Sequence, residues 1–250
     1  MAGHSKWKNI QHRKGKQDAI RGKLFTKLSR EIFNAARAGG GNPDTNFRLR
    51  MAIEKAREAN MPSDNIQRTI DKALGNIPGV TYEELVYEGY GPGGVAVMLE
   101  LLSDNRNRTA AEIRHIFSKR GGNLGETGCV SWMFERKGVL TVAKEGCPFS
   151  EDDLMMLALE AGAADFSSEE EWYEITTSPE DFAQVQEALA GQGVKFEEAT
   201  VTFVPQNTVE LHGEDAKKML QLYEALEEHD DVQAVYANFE ISEEELERIE

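Results

Sequence analysis

The end of the chain carries a strand–helix–strand run, at 208–211, 214–227 and 232–239, that is too small to bury a core alone. It must complete something earlier. Directly before it lies a self-sufficient run of strand 139–143, helix 152–161, strand 172–177, helix 179–189 and strand 199–204. The simplest arrangement pairs the final run with residues 80–135 and inserts the middle βαβαβ unit into a discontinuous domain. A chain of 250 residues has room for two or three such modules.

Upstream of Gly75 the texture is helical. From Asp18 to about Ala38, Ile20, Leu24, Leu28, Ile32, Ala35 and Ala36 fall on one arc at 100° per residue, which predicts an amphipathic helix. Lys16, Lys23, Lys27, Arg30 and Arg37 fall on the opposite arc as a cationic stripe. Three glycines, Gly39 to Gly41, stop this helix, and Asn42-Pro43-Asp44 reads as the cap and first-turn proline of the next. Leu49, Ala52, Ile53 and Ala56 mark its buried side; Ile66, Ile70, Ala73 and Leu74 mark a third helix. After Gly75, runs at 82–87 and 95–102 flank a glycine turn and predict a hairpin. Thr109-Ala110-Ala111-Glu112 reads as a capping box before the apolar face of Ile113, Ile116 and Phe117. A strand is expected to resume at 130–134, and 241–250 reads as an acidic tail.

Charge is divided unevenly. Residues 1–75 carry 16 Lys and Arg against 7 Asp and Glu, whereas 76–250 carry 12 against 37. An overall charge of −16 therefore hides a cationic head on an anionic body. Its first 16 residues have neither period and only Trp7 and Ile10 as large apolar groups, so they read as an arm. Lys6, Lys8, Arg13, Lys14 and Lys16 on that arm, with Arg21, Lys23, Lys27 and Arg30 on the helix, suit phosphate neutralisation with counterion release. Trp7, between two lysines, suits stacking on an unpaired base. A solvated cationic face balancing the acidic body is the competing reading.

Other candidate sites are weaker. Gly89-Tyr-Gly-Pro-Gly-Gly94 formally matches G-x-G-x-x-G, but a strand follows it where the dinucleotide fingerprint needs a helix. It reads as a turn. Asp104-Asn-Arg-Asn-Arg-Thr109 delivers Arg106 and Arg108 to a helix N-terminus, a plausible anion site; equally, Asp104 pairs with an arginine and an asparagine caps the helix. The histidines are scattered, Cys129 and Cys147 are isolated thiols, and no nucleophile has a recognisable setting. Neither metal, cofactor nor catalytic activity is expected. No run reaches the ~18 apolar residues of a membrane span, and the N-terminus lacks an apolar h-region, so a cytoplasmic protein with no membrane partner is expected.

Seven motifs occur in order: Met1-Ala-Gly-His-Ser-Lys-Trp7, Arg21-Gly-Lys, Gly40-Gly-x-Pro43, Tyr87-Glu-Gly-Tyr-Gly-Pro-Gly-Gly94, Asp104-Asn-Arg-Asn-Arg-Thr109, Gly121-Gly-Asn-Leu-Gly125 and Asp231-Val-Gln-x-Val-Tyr. Together they resemble the YebC/PmpR family, to which the mitochondrial translational activator of cytochrome oxidase is also similar. The resemblance runs from residue 1 to about 241. It implies a multi-domain α plus α+β protein: a three-helix domain at 1–77, a discontinuous α+β domain at 78–135 and 205–240, and an inserted ferredoxin-like α+β domain at 136–204. It also implies a nucleic-acid partner contacted through Lys6, Trp7, Arg13, Lys14, Arg21, Lys23, Arg106 and Arg108. The expected function is that of a non-enzymatic, DNA-binding transcriptional regulatory protein. The alternative is a ribosome-associated translation activator binding ribosomal or transfer RNA, favoured by the lack of an evident recognition helix and by the acidic body.

Overall fold

A computed structural model describes residues 17–75 and 81–249. Residues 132–208 form one compact unit, and the described residues of 3–131 and 209–250 form another. It is a mixed α/β multi-domain architecture.

In the larger unit the chain begins with helices α1 (Gln17–Gly39), α2 (Phe47–Glu58) and α3 (Ser63–Leu74). They share a core of Leu28, Ile32, Phe33, Leu49, Ile53, Met61, Ile66 and Ile70. Among the described side chains of α1 the buried stripe starts at Leu28; Leu24, expected on it, is 40% exposed, and Ile20 falls outside those described. The second helix also starts later than Asn42-Pro43-Asp44 suggests. Asn42 instead folds a local turn, accepting the Asp44 N–H at 2.9 Å. Asn46 is the cap, because its buried amide serves both helices. Its Oδ1 accepts from Leu49 N–H at 3.1 Å, and its Nδ2 donates to the carbonyls of Ala35 and Gly40, each at 2.8 Å.

The same unit contains strands β1 (Glu83–Tyr90) and β2 (Ala96–Ser103), an antiparallel hairpin closed by a 3-10 turn at Pro92–Gly94. Helix α4 (Arg106–Lys119) and strand β3 (Asn123–Leu124) follow. Every residue of β2 but Glu100 is buried, because the strand lies between β1 and a strand from the far end of the sequence.

The smaller unit contains β4 (Phe134–Ala143), α5 (Glu151–Ala161), β5 (Asp165–Ser168), β6 (Trp172–Thr177), α6 (Phe182–Gly191) and β7 (Glu198–Pro205). Its sheet runs β5-β6-β4-β7 with every neighbouring pair antiparallel. Helices α5 and α6 bury Leu154, Ala158, Val185 and Leu189 against Leu140, Val142, Tyr173 and Ile175. Two features differ from the sequence reading. β4 is one strand where separate strands at 130–134 and 139–143 were expected, and residues 131–133 form a 3-10 turn. Gly138 lies inside β4, pairing with Thr177 on one side and Val201 on the other. A Cβ there would meet Phe182 Cδ2 at 2.7 Å, so the glycine marks close packing and not a break. β5 was not anticipated, since Phe166 is its one large apolar residue.

Back in the larger unit come β8 (Val209–Glu210), α7 (Gly213–Glu227), β9 (Val232–Ala237), β10 (Phe239–Glu240) and α8 (Glu243–Ile249). β9 joins β2 to complete the order β3-β1-β2-β9, and β10 pairs with β8 in parallel. Leu85, Val97, Leu99, Leu101, Ile113 and Phe117 share one core with Met219, Tyr223, Leu226, Val232 and Val235. The acidic end is not a solvated tail. Ile241 and Leu246 are buried in that core, and Glu245 accepts the Gly213 N–H at 2.7 Å, holding the start of α7.

The two glycine motifs meet each other in this unit. A Cβ on Gly89 would lie 2.5 Å from the Asn123 carbonyl oxygen, and one on Gly122 would lie 2.5 Å from that of Tyr90. The backbones approach so closely that no side chain fits. Beside them Glu88, 3% exposed, accepts the N–H groups of Gly128, Val130 and Ser131 at 2.5, 3.0 and 2.5 Å. Burial favours the neutral acid, but these backbone donors outweigh it and hold the carboxyl below the usual range. The motifs thus build a backbone joint between β1 and the 121–131 segment. Gly122→Ala is expected to cost about 2 kcal/mol of folding stability, measured by denaturant unfolding, because the atoms in its way are backbone.

Candidate nucleic-acid interface

The cationic face of α1 does not look uniformly outward. Lys23, Lys27 and Arg30 sit at the i, i+4, i+7 spacing that aligns them on one side of a helix. That side meets the C-terminal end of α7 and the loop behind it. Lys27 Nζ donates to the Glu227 carbonyl, and Arg30 Nη1 donates to the Asp230 carbonyl at 2.8 Å. Lys23 lies 3.9 Å from Glu228. Cations are favoured there because the last carbonyls of a helix are unpaired and carry its negative dipole end. Burial holds the Lys27 ammonium pKa below the ordinary lysine value, with Glu227 and Asp230 opposing that effect.

Asp231 is the centre of this contact. Its side chain is 3% exposed and accepts from Arg30 at 2.6 Å, Arg108 at 2.7 Å and the Thr109 hydroxyl at 2.6 Å. Its own N–H donates to His229 Nδ1 at 3.1 Å, which leaves the proton of a neutral His229 on Nε2, 2.8 Å from Glu112. Burial alone would raise the Asp231 pKa. The bonds from Thr109, Arg108 and Arg30 outweigh it and hold the carboxyl below the usual range.

Glu112, His229 and Asp231 place possible metal-ligand atoms within 4.8 Å of one another. Both Asp231 oxygens already face a guanidinium, so a divalent cation would have to displace two fixed positive charges. The arrangement is an ion-pair hub.

The 104–109 segment is consumed largely by the same hub. Asn105 caps α4, its Oδ1 accepting the Arg108 N–H at 3.1 Å, and Asp104 pairs with Arg108 at 3.1 Å. The capping box expected at Thr109 is not formed. α4 begins at Arg106, and Thr109 is a fully buried residue of its first turn that donates to Asp231 and accepts from Ser103 Oγ at 2.6 Å. Arg106 points away, 63% exposed and 3.5 Å from Glu83.

Of the residues read as nucleic-acid contacts, Lys27, Arg30 and Arg108 are therefore gathered at the α7 end, and Lys23 lies at its margin. Arg21 lies on α1. Lys6, Trp7, Lys8, Arg13, Lys14 and Lys16 fall outside the described residues. The outer faces of α2 and α3 contribute cations that the sequence reading did not single out. Arg50, Arg57 and Lys72 are exposed and make no ion pair among the described residues, whereas Arg48 pairs with Glu84 and Lys55 with Glu31. Asp231 and His229 also went unrecognised as a site, since nothing local links them to partners 117 to 201 residues away. No helix of the described residues is long and apolar enough to cross a membrane.

Fold and charge together define a mixed α/β multi-domain protein whose basic helices are pinned to an acidic body. Residues 5–76 match the TACO1/YebC protein N-terminal domain, and 82–239 match the TACO1/YebC second and third domain. The chain belongs to the TACO1/YebC family. A protein of Pelotomaculum thermopropionicum, named a probable transcriptional regulatory protein, is 61% identical over 96% of this chain and 99% of its own length. One of Desulfitobacterium hafniense with the same name is 59% identical over 98% of this chain and 100% of its own. The crystal structure of a conserved hypothetical protein from Aquifex aeolicus is similar with a TM-score of 0.79 at 53% identity, over 90% of this chain and 93% of that one.

Asp231→Asn is expected to lower stability by at least about 2 kcal/mol at pH 7, a figure reduced from the buried-pair range because Arg108 is 41% exposed. The depressed carboxyl contributes stability that is present above about pH 4 and lost as pH falls through its folded value. Thermal melts across pH should therefore show a shallower acid limb in Asp231→Asn than in the wild type.

Proposed function

We propose that the protein is a non-enzymatic, nucleic-acid-binding regulator, and specifically a cytoplasmic DNA-binding transcriptional regulatory protein. The observation that carries this reading is the segregation of charge, 16 cations against 7 acids in residues 1–75 of a chain whose remainder is strongly anionic. The name borne by relatives at about 60% identity supports it. Phosphates would meet the arm cations Lys6, Lys8, Arg13, Lys14 and Lys16, with Arg21 and the outward cations of α2 and α3. Arg106, 63% exposed and not engaged by Asp231, would join them, while Lys27, Arg30 and Arg108 serve as internal ties. Neutralised phosphates release counterions, so affinity depends steeply on salt.

We further propose a three-part domain division. Residues 136–204, with strand order β5-β6-β4-β7 and a βαββαβ succession, are a ferredoxin-like domain inserted into the discontinuous domain of 78–135 and 205–240. The residues from 132 to 208 carry 4 Lys and Arg against 16 Asp and Glu. Such a domain repels nucleic acid and leaves binding to the helical domain.

The test is a titration of promoter-length duplex DNA at two salt concentrations. Alanine at Lys6, Lys8, Arg13, Lys14 and Lys16 together is expected to weaken binding by orders of magnitude and to reduce the salt slope by about one unit per lost contact. Arg108→Ala should lower thermal stability and leave the slope unchanged. Binding without sequence preference, alongside firm cosedimentation with ribosomes, would transfer the function to translation.

A further inference from the structure

Phe47, the first residue of α2, is 66% exposed, and the Arg50 guanidinium carbon lies 5.3 Å from its ring centroid. Arg50 is itself exposed and makes no ion pair among the described residues. The ring is thus backed by a guanidinium, and about two-thirds of the residue is open to water. Neither side chain contributes to the core of the helical domain.

A second observation comes from the charge around this pair. The first turn of a helix is stabilised by acidic side chains, because its free N–H groups form the positive end of the dipole. The first turn of α2 has none, and begins Phe47-Arg48-Leu49-Arg50. Two arginines at that end disfavour the isolated helix; Glu84 answers Arg48, and an anion beside Arg50 would relieve the remainder. An exposed aromatic ring backed by an arginine that has no ion-pair partner among the described residues matches a nucleotide in both parts. The base has a face to stack, and the phosphate has a charge to pair.

We propose that Phe47 and Arg50 form a stacking site for one unpaired base of a single-stranded nucleic acid, with Arg50 on the adjoining phosphate. This rests on the nucleic-acid reading above and deepens it, since a ring at the surface of a basic domain discriminates strands with accessible base faces from paired duplex. Stacking is insensitive to ionic strength, whereas phosphate pairing is not. The two contributions are therefore separable.

The experiment measures fluorescence anisotropy of labelled, unstructured oligouridine and oligothymidine of about 12 nucleotides, and of a duplex of the same length, at two salt concentrations. The full chain is used as wild type, Phe47→Ala, Phe47→Leu and Phe47→Tyr. Expected is a loss of roughly tenfold in single-strand affinity for Phe47→Ala and Phe47→Leu. The salt slope and duplex affinity should not change, and Phe47→Tyr should restore binding. Equal loss on both oligonucleotides assigns the stack to bases in general; loss on one alone assigns it to that strand chemistry. Unchanged single-strand affinity in Phe47→Ala overturns the stacking site while leaving polyanion binding in place. Failure of the wild type to bind any of the three ligands overturns both readings. Melting curves should coincide across the variants, because the ring is exposed; a lowered melting temperature in Phe47→Leu but not Phe47→Tyr would assign the ring to folding and overturn the proposal.

Discussion

The larger unit depends on one carboxylate. Asp231 is nearly fully buried and accepts from Arg30 of α1, Arg108 of α4 and Thr109 of α4. Three parts of the chain, separated by more than 70 residues at each step, are thereby referred to a single atom group. A lone buried carboxylate would be costly, and two guanidinium groups alone would repel each other. Together they form a closed set that ties α1 to the end of α7. Lys27 extends the same contact to the last carbonyls of α7, where a cation is favoured by the helix itself.

That hub reapportions the basic surface. A stripe of Lys and Arg on an amphipathic helix looks like a ready phosphate contact, and on α1 the same spacing serves an internal acidic partner. Arg50, Arg57 and Lys72 face solvent on α2 and α3, where Phe47 adds a ring to the charge. The division matters for function, because an internal ion pair affects stability and its pH dependence, whereas a solvent-facing cation affects salt-dependent binding.

The glycine motifs show a comparable reassignment. Gly89 to Gly94 formally match a dinucleotide fingerprint and read as a turn, and Gly121 to Gly125 follow the end of α4. In the folded unit Gly89 and Gly122 each leave the space that the other segment's backbone occupies, and Glu88 ties the following segment by its backbone N–H groups. Their chemistry is close backbone approach.

The sequence by itself determined the element types, the helical head, the hairpin at β1 and β2, and the separation of positive from negative charge. These follow from periodicity and composition, which act over a few residues and are visible locally. Boundaries were missed where two local signals competed, as at Asn42 and Asn46 or at Arg106 and Thr109, where Gly138 looked like a break inside β4, and at β5, which has one large apolar residue. The tail is the same case: Ile241 and Leu246 are too few to announce a helix among acids, yet they fill the core. Tertiary structure alone decided which cations are tied internally and which face water. Arg30 and Asp231 are 201 positions apart, and no local pattern encodes a partner at that distance.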